Sequence, residues 1–127
     1  MLDHISISCP PSQYPSLVTF YTLALAPLGY TKQMEIPSVA VGFGPEPGQH
    51  PFWIGCKENS SDATPAGVHL AFRAKDRATV EKFFEEAVKA GGKGNGEPGL
   101  REMYGKGYFA AFVLDLVGNN IEFVHRE

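Results

Sequence analysis

The pattern of apolar residues in this chain runs its course once, over about sixty positions, and then begins again. Residues 2–9 alternate as a strand, with Asp3, Ile5, Ile7 and Cys9 on one face and Leu2, His4, Ser6 and Ser8 on the other. Pro10-Pro11-Ser12 breaks that strand, and Pro15 suits the first turn of a helix. Leu17, Phe20, Tyr21, Ala24, Leu25 and Leu28 then keep to one helical face until Gly29 ends it. Three strands follow, at 30–35, 38–43 and 52–57, separated by Pro37 and by the loop G-P-E-P-G-Q-H-P.

After a polar, breaker-rich stretch the order restarts. Residues 67–73 read as a strand with Val68, Leu70 and Phe72 on one face and His69, Ala71 and Arg73 on the other. Asp76 suits an N-cap, and Val80, Phe83, Phe84, Ala87 and Val88 form a helical stripe that Gly91-Gly92 closes. The glycine-rich passage 91–99 is expected to carry one short strand at most, and its spacing matches no phosphate-binding loop. The chain closes with a hairpin that turns through Asp115-Leu116-Val117-Gly118-Asn119. The reading is a single α+β domain, with module 1–58 and module 66–127 joined by a linker at 59–65.

Several function classes fall away on composition. With 127 residues, 43% apolar, and a net charge of −3, the chain has no basic patch for nucleic acid or an anionic membrane. No apolar run approaches the ~20 residues of a membrane span, and the N-terminus lacks the pattern of a signal peptide. Cys9 and Cys56 are the only cysteines; they read as free thiols in a reducing compartment, which makes the cytoplasm the expected location.

Each helix covers one face of its sheet, so the most apolar strand faces belong beneath the helices. The opposite faces carry His4, His69 and Glu122, one on each of three strands. Two imidazoles and a carboxylate are a common ligand set for a divalent first-row metal, and three ligands leave positions open for a substrate. Taken singly, each histidine is an ordinary strand residue and Glu122 a glutamate at a strand end. The pattern leaves open whether the three strands meet.

The ordered motifs L-D-H-I, F-Y-T-L-A-L-A-P-L-G-Y, F-W-I-G, G-V-H-L-A-F, A-G-G and Y-F-A-A-F-V-L-D-x-x-G-N-N-I-E span nearly the whole chain. In that order the sequence resembles the vicinal oxygen chelate superfamily, the glyoxalase, bleomycin-resistance and extradiol-dioxygenase group. The resemblance implies two βαβββ modules whose sheets curve round a metal-bearing cleft. It implies metal ligands from the first and last strands of the modules, which selects His4, His69 and Glu122. It also implies a homodimer, a small-molecule substrate and a divalent ion: zinc first, with manganese, iron or nickel as alternatives.

There are departures from the family pattern. Members with four ligands carry a second carboxylate within the stretch F-W-I-G-C-K, where Trp53 and Ile54 stand. Neither can bind a metal, which argues against a glyoxalase-I-type isomerisation in its usual form, since that carboxylate is the base. What remains resembles the two-histidine, one-carboxylate set of extradiol dioxygenases and fosfomycin-type thiol transferases. The turn also lacks the family's proline, with Asp115-Leu116-Val117-Gly118 in its place.

Trp53, Phe43 and Tyr104 are the residues expected to shape the pocket. Arg101 and Tyr104, in a glycine-flanked loop, are the catalytic candidates: Arg101 to hold a carboxylate or phosphate, Tyr104 to donate a hydrogen bond or proton. Tyr108 is core or cleft depending on register. His50 reads as a loop residue, His125 points away from Glu122, and the cysteines read as small apolar fillers. The expected function is a metal-dependent enzyme using Lewis acidity on an oxygen-chelating substrate. The alternatives are a sequestering protein of the bleomycin-resistance type, and a domain whose metal is structural.

Overall fold

Both halves realise the expected order of strand, helix and three strands. The computed structural model describes residues 2–58 and 67–127. The expected linker at 59–65, and residue 66, lie outside the described residues. The first half comprises β1 (Ile5–Cys9), α1 (Tyr14–Ala24), a 3-10 turn (Ala26–Leu28), β2 (Thr31–Ile36), β3 (Ala40–Gly44) and β4 (Phe52–Cys56). The second comprises β5 (His69–Arg73), α2 (Arg77–Lys89), β6 (Lys93–Leu100), a 3-10 turn (Glu102–Tyr104), β7 (Tyr108–Leu114) and β8 (Asn120–Arg126).

Each half makes one four-stranded mixed sheet, in the order β1-β4-β3-β2 and β5-β8-β7-β6. The first and last strands of each half run parallel, and the remaining pairs are antiparallel. Within β1–β4 the register sets Ser6 against Trp53; within β5–β8 it sets Ala71 against Glu122. Aligning His4 with His69 therefore puts Trp53 at the place that Glu122 holds in the second half. The register thus decides between Trp53 and Ile54, and Trp53 occupies the carboxylate position.

Apolar side chains from one face of each sheet pack under the helices. Phe20, Tyr21, Phe43, Phe52, Phe83 and Phe123 are all fully buried there. Phe83 of α2 lies flat on Phe123 of β8, with centroids 4.0 Å apart. The halves share this core. Phe52 meets Phe72 edge-on at 5.5 Å, and Tyr30 meets the same ring at 6.0 Å. A buried polar link ties α1 to the closing hairpin: Tyr21 donates its hydroxyl to Asp115 Oδ2 at 2.5 Å. Asp115 in turn accepts from the backbone of Val117 and Asn119, which fixes the hairpin turn.

One expectation is corrected. The glycine-rich passage holds β6, a strand of eight residues, rather than one short strand at most. It pairs with β7 through two register irregularities, between Gly94 and Gly96 and between Gly96 and Gly99. The glycines there answer a steric demand: a Cβ at Gly96 would stand 2.9 Å from the ring of Phe112. Low strand propensity is outweighed by pairing and by that close approach. Among the described residues, no helix is long and apolar enough to cross a membrane.

Candidate functional site

On the face of the second sheet away from the helices, alternation brings up His69 and Ala71 from β5, Asn120, Glu122 and Val124 from β8, and Tyr108, Ala110 and Phe112 from β7. Register then does the assembly. Glu122 stands opposite Phe112 across β7–β8 and opposite Ala71 across β5–β8, while His69 stands opposite Asn120. Tyr104 arrives from the 3-10 turn before β7. A cavity of about 290 Å³ opens here, lined by His69, Tyr104, Tyr108, Phe112, Asn120 and Glu122.

Glu122 is its chemical centre. The residue is 2% exposed, an unusual depth for a carboxylate. Both oxygens are engaged: Oε1 accepts from the Tyr108 hydroxyl, and Oε2 stands 3.0 Å from His69 Nε2. The His69 side chain remains half exposed, so this buried carboxylate reaches solvent through an imidazole. Burial, together with the neighbouring carboxylate, pushes the Tyr108 hydroxyl up to about 12, although Arg126 over its ring works the other way. Tyr108 thus stays a proton donor at neutral pH and holds Glu122 in one orientation.

The wall of the cavity is aromatic. Phe112 stacks on His69 at 22° between planes, with centroids 6.2 Å apart, and Tyr104 meets Tyr108 edge-on at 5.5 Å. Arg101 lies along β6 with its guanidinium 5.6 Å from the Phe112 ring centre. It donates through Nη2 to the Glu97 carbonyl at 2.6 Å. Two cationic groups, Arg101 and Arg126, therefore border an aromatic wall with an acid beneath it.

The fold brings together His69, Glu122 and Tyr104, with Arg101 beside them. It leaves His4 elsewhere. His4 precedes β1, holds Asp3 through Nδ1 at 2.6 Å, and lines a separate cavity of about 160 Å³ with Leu2, Tyr30, Phe52 and Phe72. That cavity shares no residue with the one at Glu122. Among the described residues, no three His, Cys, Asp or Glu side chains gather as a metal would require. Trp53 lies on the face of β4 away from the helix, over Gly42, with the His50 ring against it at 5.1 Å.

Phe43 is corrected. It is fully buried on the helix side, packed against Phe52, and cannot shape a pocket on the opposite face. Phe112 and Asn120 belong to the site although the sequence did not single them out as site residues, and register resolves Tyr108, left open as core or cleft, to the cleft. Residues 109–114 are apolar throughout, so alternation could not say which of them face the cleft. The available signal lay in the turn: pairing Leu114 with Asn120 forces Phe112 opposite Glu122.

Comparison with known proteins agrees with this architecture. The model of the Glyoxalase/Bleomycin resistance protein/Dioxygenase superfamily matches residues 2–123. A glyoxalase/bleomycin resistance protein from Albidiferax ferrireducens T118 superposes with a TM-score of 0.77 at 22% identity, covering 96% of this chain and 97% of that one. A glyoxalase/bleomycin resistance protein/dioxygenase family enzyme from Burkholderia phytofirmans PsJN gives 0.73 at 17% identity, covering 99% and 98%. A lactoylglutathione lyase from Agrobacterium tumefaciens gives 0.62 at 14% identity, covering 95% and 91%. At these identities the likeness is one of fold. No curated protein matches the chain.

Proposed function

Because the chain belongs to the glyoxalase/bleomycin resistance protein/dioxygenase superfamily, we propose that it is a metal-dependent enzyme acting on a small oxygen-chelating substrate at the Glu122 cavity. The observation that carries this reading is the His69–Glu122 pair. Its nitrogen and oxygen, 3.0 Å apart, are spaced as neighbouring donors round one divalent ion with bonds near ~2.0–2.2 Å. Nitrogen plus carboxylate oxygen suits zinc, manganese, iron or nickel, with zinc the first expectation. His4 completes the set in this reading, supplied by a second copy of the chain. Two features support that placement: His4 lies outside the Glu122 cavity within its own chain, and Tyr104 on the cavity lining, with its chain neighbour Met103, is exposed.

A divalent ion bound there supplies Lewis acidity toward substrate oxygens. The chain's own groups do the rest. Tyr108 fixes the carboxylate through its hydroxyl, so that Glu122 presents one oxygen to the cavity in a set direction. Phe112 braces the His69 ring from one side. Tyr104, 62% exposed on a loop, stands where it can donate a hydrogen bond or proton to a substrate on the aromatic wall. Arg101 offers a cation for a carboxylate or phosphate. Trp53, brought by the second copy along with His4, closes the pocket and excludes water.

One observation favours a second reading, a sequestering protein without turnover. Both Glu122 oxygens already have protein partners, and the wall is aromatic enough to hold a flat ligand by contact alone. Metal analysis of protein purified without chelator separates the two. One divalent ion per chain is expected. Protein that takes up no zinc, manganese, iron or nickel at micromolar concentrations would remove the enzyme reading and leave the binder.

A further inference from the structure

The two cysteines fall at one place in the fold. Register pairs Cys9 with Cys56 directly across the parallel strands β1 and β4, where neighbouring backbones lie about 4.8 Å apart. The pairing continues beyond them, since the Lys57 amide donates to the Cys9 carbonyl at 2.9 Å. By alternation both side chains leave the sheet on the helix side, with Ile5 and Ile7 on β1 and Phe52 and Ile54 on β4. Backbones this close, with both side chains on one face, fall within the range a disulfide spans. Both cysteines are free thiols.

Their surroundings differ. Cys9 is 2% exposed, and burial, then the nearby Cys56 and Asp115, pushes its thiol up to about 11. Cys56 is only partly buried and lines a cavity of about 570 Å³ between the start of α1 and the β2–β3 turn. Tyr14, Lys32, Glu35 and Ser38 also line this cavity. It shares no residue with the Glu122 cavity, so this thiol pair is separate from the candidate metal site. Among the described residues, the buried Tyr14 hydroxyl has no hydrogen-bond partner.

We propose that Cys9 and Cys56 form a dithiol modification site that a small hydroperoxide, entering through this cavity, closes to an intrachain disulfide. The Cys56 thiolate attacks the peroxide oxygen, forming an S–O bond as the O–O bond breaks and an alcohol, or water, leaves. Cys9 then attacks the sulfur of the resulting sulfenic acid. The S–S bond forms, the S–O bond breaks, and hydroxide leaves as water with the Cys9 proton. Two thiols are oxidised by two electrons and one peroxide is reduced. The raised Cys9 thiol is a poor first target, and its fixed position across from Cys56 offsets its low thiolate fraction in the second step.

The test treats the reduced full chain with hydrogen peroxide, then alkylates it under denaturing conditions for intact-mass and peptide analysis. A mass lower by about 2 Da, no alkylation, and one cross-linked peptide pair carrying Cys9 and Cys56 are expected. In Cys9→Ser, oxidation of Cys56 stops at a sulfenic acid that dimedone traps. In Cys56→Ser, Cys9 stays alkylatable. Three results would overturn the proposal: a disulfide-linked dimer, Cys56 over-oxidised while wild-type Cys9 still alkylates, or both thiols intact when a free-thiol peptide control is consumed.

Discussion

Removing the Tyr108 hydroxyl leaves Oε1 of Glu122 buried without a donor, and an orphaned buried acceptor costs about 1–3 kcal/mol. Tyr108→Phe should therefore destabilise the chain by about that much in chemical denaturation. A change within experimental error would mean that the carboxylate does not depend on this bond. The same residue has an alkaline signature. Its proton is held more tightly in the folded chain, at about 12, than at the ordinary value of 10.0. Its contribution is thus complete below pH 10.0 and is lost as pH rises toward 12. Wild type should lose more stability than Tyr108→Phe across that window, and parallel losses would contradict the assignment. Tyr21, also raised by burial and Asp115, is common to both proteins and cancels in the comparison. At this scale the sequence disclosed the ligand-type residues of the site and hid their supports. His69 and Glu122 stand out as polar side chains flanked on both sides by apolar ones, Val68 and Leu70, and Ile121 and Phe123. Tyr108 and Phe112 sit in a run whose two faces are equally apolar, and only pairing tells those faces apart.

At the scale of elements, the helices follow from their stripes and caps. Asp76 caps α2 as its sequence position suggests, accepting from the Thr79 amide at 2.8 Å and its hydroxyl at 2.7 Å. Where α2 hands over to β6, Gly92 packs tightly against both its own half and Phe20 of the other. A Cβ there would stand 2.6 Å from Val113, 2.7 Å from Phe20 and 3.0 Å from the Ala87 carbonyl. Gly92→Ala should lower stability by about 1–3 kcal/mol, the usual cost of overpacking, as read by thermal or urea unfolding. An unchanged midpoint would mean that the seam between the halves is looser than these distances. Gly92 was legible as a helix stop and illegible as a packing contact, because its neighbours come from three other elements. The same holds for β6. Its glycines read as breaks in a sequence, and they serve as clearances against Phe112 and Phe84 in the sheet.

For the whole molecule, the repeat fixed the architecture before any residue was placed, since two strand–helix–strand units with matching histidines leave few arrangements. Within one chain His4 lies apart from His69 and Glu122, so the proposed metal site needs a second source for it. The proposed answer is an isologous homodimer, in which the first half of one copy covers the second half of the other. Sedimentation should show a dimer, and a monomer at micromolar concentration and above would remove this arrangement. Complementation tests the geometry itself. His4→Ala and Glu122→Gln should each weaken metal binding as homodimers. Mixed after unfolding and refolding together, they should regain about a quarter of the wild-type sites, one intact site in each mixed dimer. Recovery of none would place all the ligands of a site in one chain, or remove His4 from the set.

The claim on which the rest depends is that Glu122 binds a metal, and thermal melting of wild type and Glu122→Gln, each with and without zinc or manganese, tests it directly. An ion that binds only the native state raises the melting temperature by mass action, and a neutral amide oxygen is a far weaker donor than a carboxylate. The account predicts a clear upward shift in wild type and a much smaller one in Glu122→Gln. Equal shifts in the two proteins would contradict it.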